Sequence, residues 1–89
     1  MAVSNTAQSP LILAAQDDAD ARTFDITWIR WNGATTAGHL LQVTDTAGNI
    51  IWESVADGAN FIDIQPIFRI YRGIKVPDLD SGKVLVYYR

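Results

Sequence analysis

The chain holds no cysteine, one histidine, one methionine and three prolines in 89 residues. Without cysteine there is no disulfide framework, no thiolate-bound zinc and no thiol redox chemistry, and a lone imidazole at His39 excludes a polyhistidine metal site. Charge is also sparse, at 19% of residues, and its balance of −3 disfavours non-specific attraction to nucleic acid or to an anionic membrane. Long apolar runs are missing: Leu11 to Ala15 is too short to span a bilayer. No basic residue precedes it as a signal peptide requires. The length allows one domain, with a core that stays thin unless a partner adds burial.

What the chain does have is apolar and aromatic mass, with 48% hydrophobic residues and three each of Trp, Tyr and Phe. Residues 1–22 read as an N-terminal arm: Met1 to Pro10 is polar and aperiodic, and the acids Asp17, Asp18 and Asp20 suit a turn. From Thr23 the texture becomes β-branched and aromatic, punctuated by Gly and Asp, so 23–89 is expected to form the folded domain. Candidate strands run over Thr23–Trp31, His39–Thr44, Asn49–Val55, Phe61–Ile64, Phe68–Val76 and Lys83–Arg89. Thr44 to Asn49 is the strongest hairpin signal, because Asp45 can accept backbone hydrogen bonds and Gly48 can take positive φ. Asp57-Gly58 and Ser81-Gly82 mark further reversals, and Pro66 and Pro77 suit strand ends or edges. The expected fold is all-β, a single antiparallel β-sandwich or partly open barrel of about six strands with an extended arm.

Strand alternation places apolar groups on both faces. Along Asp25–Trp31, Ile26 and Trp28 oppose Ile29 and Trp31; along Lys83–Arg89, Val84, Val86 and Tyr88 oppose Leu85 and Tyr87. An isolated sandwich presents a polar outer face, so these faces are expected to be covered by another chain or another copy. Taking the Ile26 side as inward gives a core of Ile26, Trp28, Leu41, Val43, Ile62, Ile64, Val84 and Val86. The interface candidates are Trp31, Trp52, Phe68, Tyr71 and Tyr87, with Arg69 and Arg72 as rim anchors. Charge is also segregated: eight acids against two bases up to Pro66, then two acids against five bases. Such a split can align copies head to tail.

Motifs for chemistry are weak. Asp78-Leu79-Asp80-Ser81-Gly82 opens like a calcium loop, but its glycine comes early and no bidentate Glu follows. No nucleophile elbow or phosphate loop occurs, and no metal or cofactor is expected. Arg69, Arg72 and Lys75 alternate faces and make no continuous basic stripe, so direct nucleic-acid binding is not expected. A stacking platform on Trp31 or Trp52 would suit a small carbohydrate-binding module, although Trp28 and Trp31 point apart in a regular strand.

Two segments, Ile26-Thr27-Trp28-Ile29-Arg30-Trp31-Asn32-Gly33-Ala34-Thr35-Thr36-Ala37-Gly38-His39 and Thr44-Asp45-Thr46-Ala47-Gly48-Asn49-Ile50-Ile51-Trp52-Glu53-Ser54, resemble small proteins encoded among the head genes of tailed bacteriophages. Phe61–Arg72 and Ser81–Tyr88 are similar in texture. The resemblance spans roughly residues 23–89 and implies a non-enzymatic virion protein assembled in the bacterial cytoplasm. The role it points to is a capsid decoration or cement protein, a homo-oligomer clamping neighbouring major capsid protein subunits. A tail or adaptor component is the alternative within the same module. The resemblance carries no cofactor and no catalytic residue.

Overall fold

The computed structural model describes residues 10–89. The strands are β1 (Leu11–Leu13), β2 (Ala19–Ala34), β3 (Leu40–Thr44), β4 (Ile50–Val55), β5 (Phe61–Leu79) and β6 (Lys83–Tyr88). They form one antiparallel sheet in the order β1-β6-β2-β5-β3-β4. The all-β, partly open architecture agrees with expectation, while the strand boundaries differ in two places. Leu11–Leu13 and Ala19–Arg22, assigned by sequence to the arm, are strand residues, the first paired with β6 and the second joined to β5 through Ala19 and Asp20. The expected strands 61–64 and 68–76 are one continuous β5 of 19 residues. Residues 1–9 of the arm lie outside the described residues.

β2 and β5 are long, and both are interrupted near their middles. From Ile26 to Trp28, β2 advances two residues while β6 advances one (Tyr88 to Tyr87) and β5 advances three (Arg69 to Pro66). β2 therefore carries an extra residue against β6, and β5 an extra residue against β2. Thr27 is held in the first bulge by its hydroxyl, which donates to the Tyr87 carbonyl at 3.1 Å. Phe68 in the second has φ of 51°. Bulges bend a strand and increase its twist. With the two at the same level, β2 and β5 bend together and the sheet curls around a single core.

That core collects Leu13, Phe24, Ile26, Ile29, Trp31, Leu41, Val43, Ile74, Val76, Leu79, Val84 and Val86 from five strands. Of the eight core positions read from sequence, Ile26, Leu41, Val43, Val84 and Val86 are buried. Trp28, Ile62 and Ile64 are not, with 42%, 49% and 48% exposure. The cause for Trp28 is the bulge at Thr27, which reverses the alternation of β2, so that Ile26, Ile29 and Trp31 all point inward. Trp31, expected at an interface, is fully buried; its Nε1–H donates to the Ser81 carbonyl at 2.9 Å and its ring stands edge-on to Phe61. For Ile62 and Ile64 the cause is Asp63, which pairs with Trp31 on the inner side and accepts a 2.7 Å hydrogen bond from the buried Ser54 hydroxyl. An inward acid satisfied across the core leaves the flanking isoleucines outside.

The β3–β4 hairpin follows its sequence signal. Asp45 Oδ1 accepts from the Ala47 and Asn49 backbone N–H groups at 3.0 and 2.9 Å, Oδ2 accepts from the Asn49 amide, and Gly48 takes φ of 91°. The Thr46 hydroxyl then donates to the Arg72 carbonyl at 2.8 Å, docking the turn onto β5.

Candidate functional site

The β2 bulge decides which groups face outward over the β6-β2-β5 wing. Past it, Trp28, Arg30 and Asn32 alternate outward. Register sets Tyr87, Leu85 and Lys83 of β6 beside them on one side, and Pro66, Ile64 and Ile62 of β5 on the other. Ile12 of β1 continues the surface opposite Leu85 and is 52% exposed. Phe68, 55% exposed, packs edge-on to Trp28 with ring centroids 5.7 Å apart. The result is a contiguous apolar sheet face where a free-standing domain has polar side chains.

Arg30 stands in the middle of this face. Trp28, Arg30, Ile64 and Tyr87 line a shallow depression of about 190 Å³. Arg30 Nε is closed off from solvent and has no hydrogen-bond partner. The ion pairs among the described residues are Arg22–Asp20 and Arg89–Asp25, so Arg30 has no anion there. A guanidinium N–H left unsatisfied among apolar groups is costly, and a carboxylate is the partner that would satisfy it most strongly.

Of the interface candidates read from sequence, Phe68 and Tyr87 meet on this face, around Trp28. Arg69 and Arg72 are exposed on the bent part of β5. Trp52 and Tyr71 are half-buried and pack against the core, and Trp31 lies within it. Trp31 is therefore closed to a stacking ligand, while Trp52 keeps a partly exposed ring. Trp28, Arg30, Ile62 and Ile64, which build the face, were not among the interface candidates, because the phase of the first two depends on the β2 bulge and that of the isoleucines on inward Asp63.

A second exposed face covers the other wing. Leu40 and Gln42 of β3 lie opposite Val55 and Glu53 of β4, and Asp78 of β5 flanks Gln42. These residues line a groove of about 320 Å³. Glu53 accepts from the Gln42 amide at 3.0 Å, which leaves its charge uncompensated. Asp80 Oδ2 accepts the Leu40 backbone N–H at 2.8 Å, and this bond holds its carboxyl below the usual aspartate range. Burial and the neighbouring Asp80 push Asp78 up.

His39, the single imidazole, meets a serine: its Nδ1 is 2.7 Å from Ser81 Oγ. Ser81 also accepts the Thr35 N–H at 3.0 Å, and its carbonyl accepts from Trp31. No carboxylate hydrogen-bonds the His39 ring among the described residues; Asp80 accepts the Leu40 backbone N–H. The pair ties the β2–β3 and β5–β6 turns together. No group of three His, Asp or Glu side chains that could hold a metal ion occurs among the described residues.

No protein-family model, no curated protein and no solved structure matches this chain.

Proposed function

We propose that the protein is a non-enzymatic structural subunit that works by docking the apolar Trp28–Tyr87 sheet face onto other protein. The observation that carries this reading is the run of exposed Ile12, Trp28, Ile62, Ile64 and Phe68 around an unpartnered Arg30. Aromatic and arginine anchors at the centre of an apolar patch are the composition of an energetic interface core. Burial of such a face contributes roughly 25 cal/mol per Å² of apolar area, from which the cost of lost rigid-body freedom is subtracted. Repeated over many copies on a lattice, modest single contacts add through effective concentration.

Combined with the resemblance of residues 23–89 to small head-gene products of tailed bacteriophages, this reading makes the chain a capsid decoration or cement protein. It would sit at joints between major capsid protein subunits and add buried area there. Quantitative mass spectrometry of purified particles from the encoding phage tests it. A fixed stoichiometry comparable to that of the major capsid protein is expected, together with its loss in a Trp28→Ser variant. A handful of copies per particle would move the protein to the tail or adaptor, and its absence from particles would overturn the virion role.

A further inference from the structure

The two exposed faces carry opposite charge. The Trp28 face presents Arg30 and Lys83 and no acid. The groove of the Leu40–Val55 face is lined by Glu53 and Asp78 with no base, Lys75 lying beyond it in the adjoining depression past Gln42. Each combines its charge with exposed apolar side chains: Trp28, Ile62 and Ile64 on the first, Leu40 at 43% and Val55 at 58% on the second. They sit on opposite wings of a sheet curled around one core, so each can contact a different neighbour.

We infer that the occupant of the Trp28 face is a second copy of this chain, docked through its Leu40–Val55 face with Arg30 against Glu53 and Asp78, so that copies join head to tail. The inference rests on the reading above that the Trp28 face is a protein-docking surface, and it names the partner. Three observations favour this arrangement. A two-fold contact of the Trp28 face with itself would set Arg30 and Lys83 of both copies together with no acid between them, and the acidic face has the mirror-image problem. A closed two-fold interface must be self-complementary, and neither face is, whereas the two complement each other.

The second observation is that each face lacks what the other supplies. Arg30 Nε is sealed and unpaired, while Glu53 is bonded only to a neutral amide and Asp78 lies beside another acid. A planar guanidinium fork matches a carboxylate through two hydrogen bonds. Thirdly, strand addition is blunted along the one-sided stretch of β5 beside the Trp28 face. Where β5 has a neighbour on one side only, over residues 61–70, it carries Pro66 and the left-handed Phe68. Proline and bulges are devices that prevent strand addition. A contact through this part of the sheet is therefore directed to its face, and a head-to-tail contact gives rings if its rotation closes and filaments if it does not.

Sedimentation of the full chain across a dilution series tests this, with Arg30→Glu, Glu53→Arg, their equimolar mixture and the double variant Arg30→Glu/Glu53→Arg. The wild type is expected to associate above the 9.8 kDa monomer. Each single variant is expected to weaken association at least tenfold. The mixture and the double variant are expected to restore it, because each re-creates one acidic and one basic face; restoration also shows that the variants fold. A wild type that stays monomeric to millimolar concentration overturns the inference, as do single variants that associate like the wild type. Stronger association of Arg30→Glu would mean that the Trp28 face meets its own copy, and also overturns it. Failure here with loss of Trp28→Ser from particles leaves the docking face standing with a different partner; retention of Trp28→Ser on particles removes the docking reading itself.

Discussion

Phe68, at φ of 51°, stands edge-on to Trp28 with ring centroids 5.7 Å apart and planes at 70°. The left-handed backbone at one residue and the outward phase of the other arise at the same level of the sheet, from the adjoining bulges of β5 and β2. A bulky residue at positive φ costs on the order of 1–3 kcal/mol, and the aromatic pair returns about 0.5–1.5 kcal/mol of that. Backbone irregularity here builds the docking face.

Phe68 is therefore sensitive to the shape of its replacement. Phe68→Gly relieves the backbone while losing the ring contact, so its stability is expected to lie within about 1 kcal/mol of the wild type. Phe68→Val loses the contact and keeps a β-branched residue at positive φ, and should be less stable than Phe68→Gly by on the order of 1–2 kcal/mol. Urea unfolding midpoints of the two variants check the order.

The two tryptophans of β2 should separate stability from association. Trp31→Ala empties a fully buried site and removes the donor to Ser81, so a loss of about 3–5 kcal/mol is expected. Trp28→Ala removes a half-exposed ring and should cost about 1 kcal/mol. Association is expected to fail in Trp28→Ala with the fold intact, as read by circular dichroism beside sedimentation.

Gly82 has no room for a side chain. Its φ is 75°, and a Cβ there would lie 2.6 Å from the Asn32 carbonyl oxygen and 2.9 Å from the Ala34 nitrogen. Gly82→Ala is expected to destabilise by on the order of 1–3 kcal/mol, from strain and from displacement of the β2 end. Thermal unfolding measures it, and an unchanged midpoint would show that the β5–β6 turn relaxes freely.

Asp45 makes the β3–β4 turn sensitive to acid. Hydrogen bonds from the Asn49 side chain and backbone hold its carboxyl below the ordinary value of 3.8. The folded form thus binds its proton less readily than the unfolded form. Its contribution is fully present above the ordinary aspartate range and is lost as the pH falls through the depressed folded value. The stability difference between the wild type and Asp45→Ala is expected to be largest above about pH 5 and to shrink steadily below about pH 4. Melting temperatures taken over that range decide it.

Much of the architecture was legible in the order of residues. Asp45 and Gly48 satisfy their turn within a few residues of themselves, and the strands rich in Val, Ile, Trp and Tyr carry their preference locally. The core of β3 and β6 was legible too, because alternation holds unbroken along Leu41–Val43 and Val84–Val86. Absence of cysteine, of a second histidine and of ordered catalytic spacing likewise bounded the chemistry without reference to any contact.

The phase of β2 and of β5 was not legible, and the candidate site depends on it. Side-chain alternation has a period of two, so one inserted residue sends every later side chain to the other face. Thr27 is such an insertion in β2, and nothing in its own neighbourhood marks it; in β5 alternation runs unbroken through Phe68, with Ile64, Phe68 and Ile70 outward and Ile67 and Tyr71 against the core, and turns over only around Gly73, where φ is 76°. Thr27 is stabilised by the Tyr87 carbonyl and Phe68 by the Trp28 ring, partners distant in the chain that exist only once the strands have paired. Ile62 and Ile64 were placed in the core for a similar reason: the inward place of Asp63, which leaves them outside, depends on Ser54, which β4 brings to it across the core. Local composition settled that there would be strands and where they would turn, while long-range pairing chose which side of them became core and which was left open for a partner.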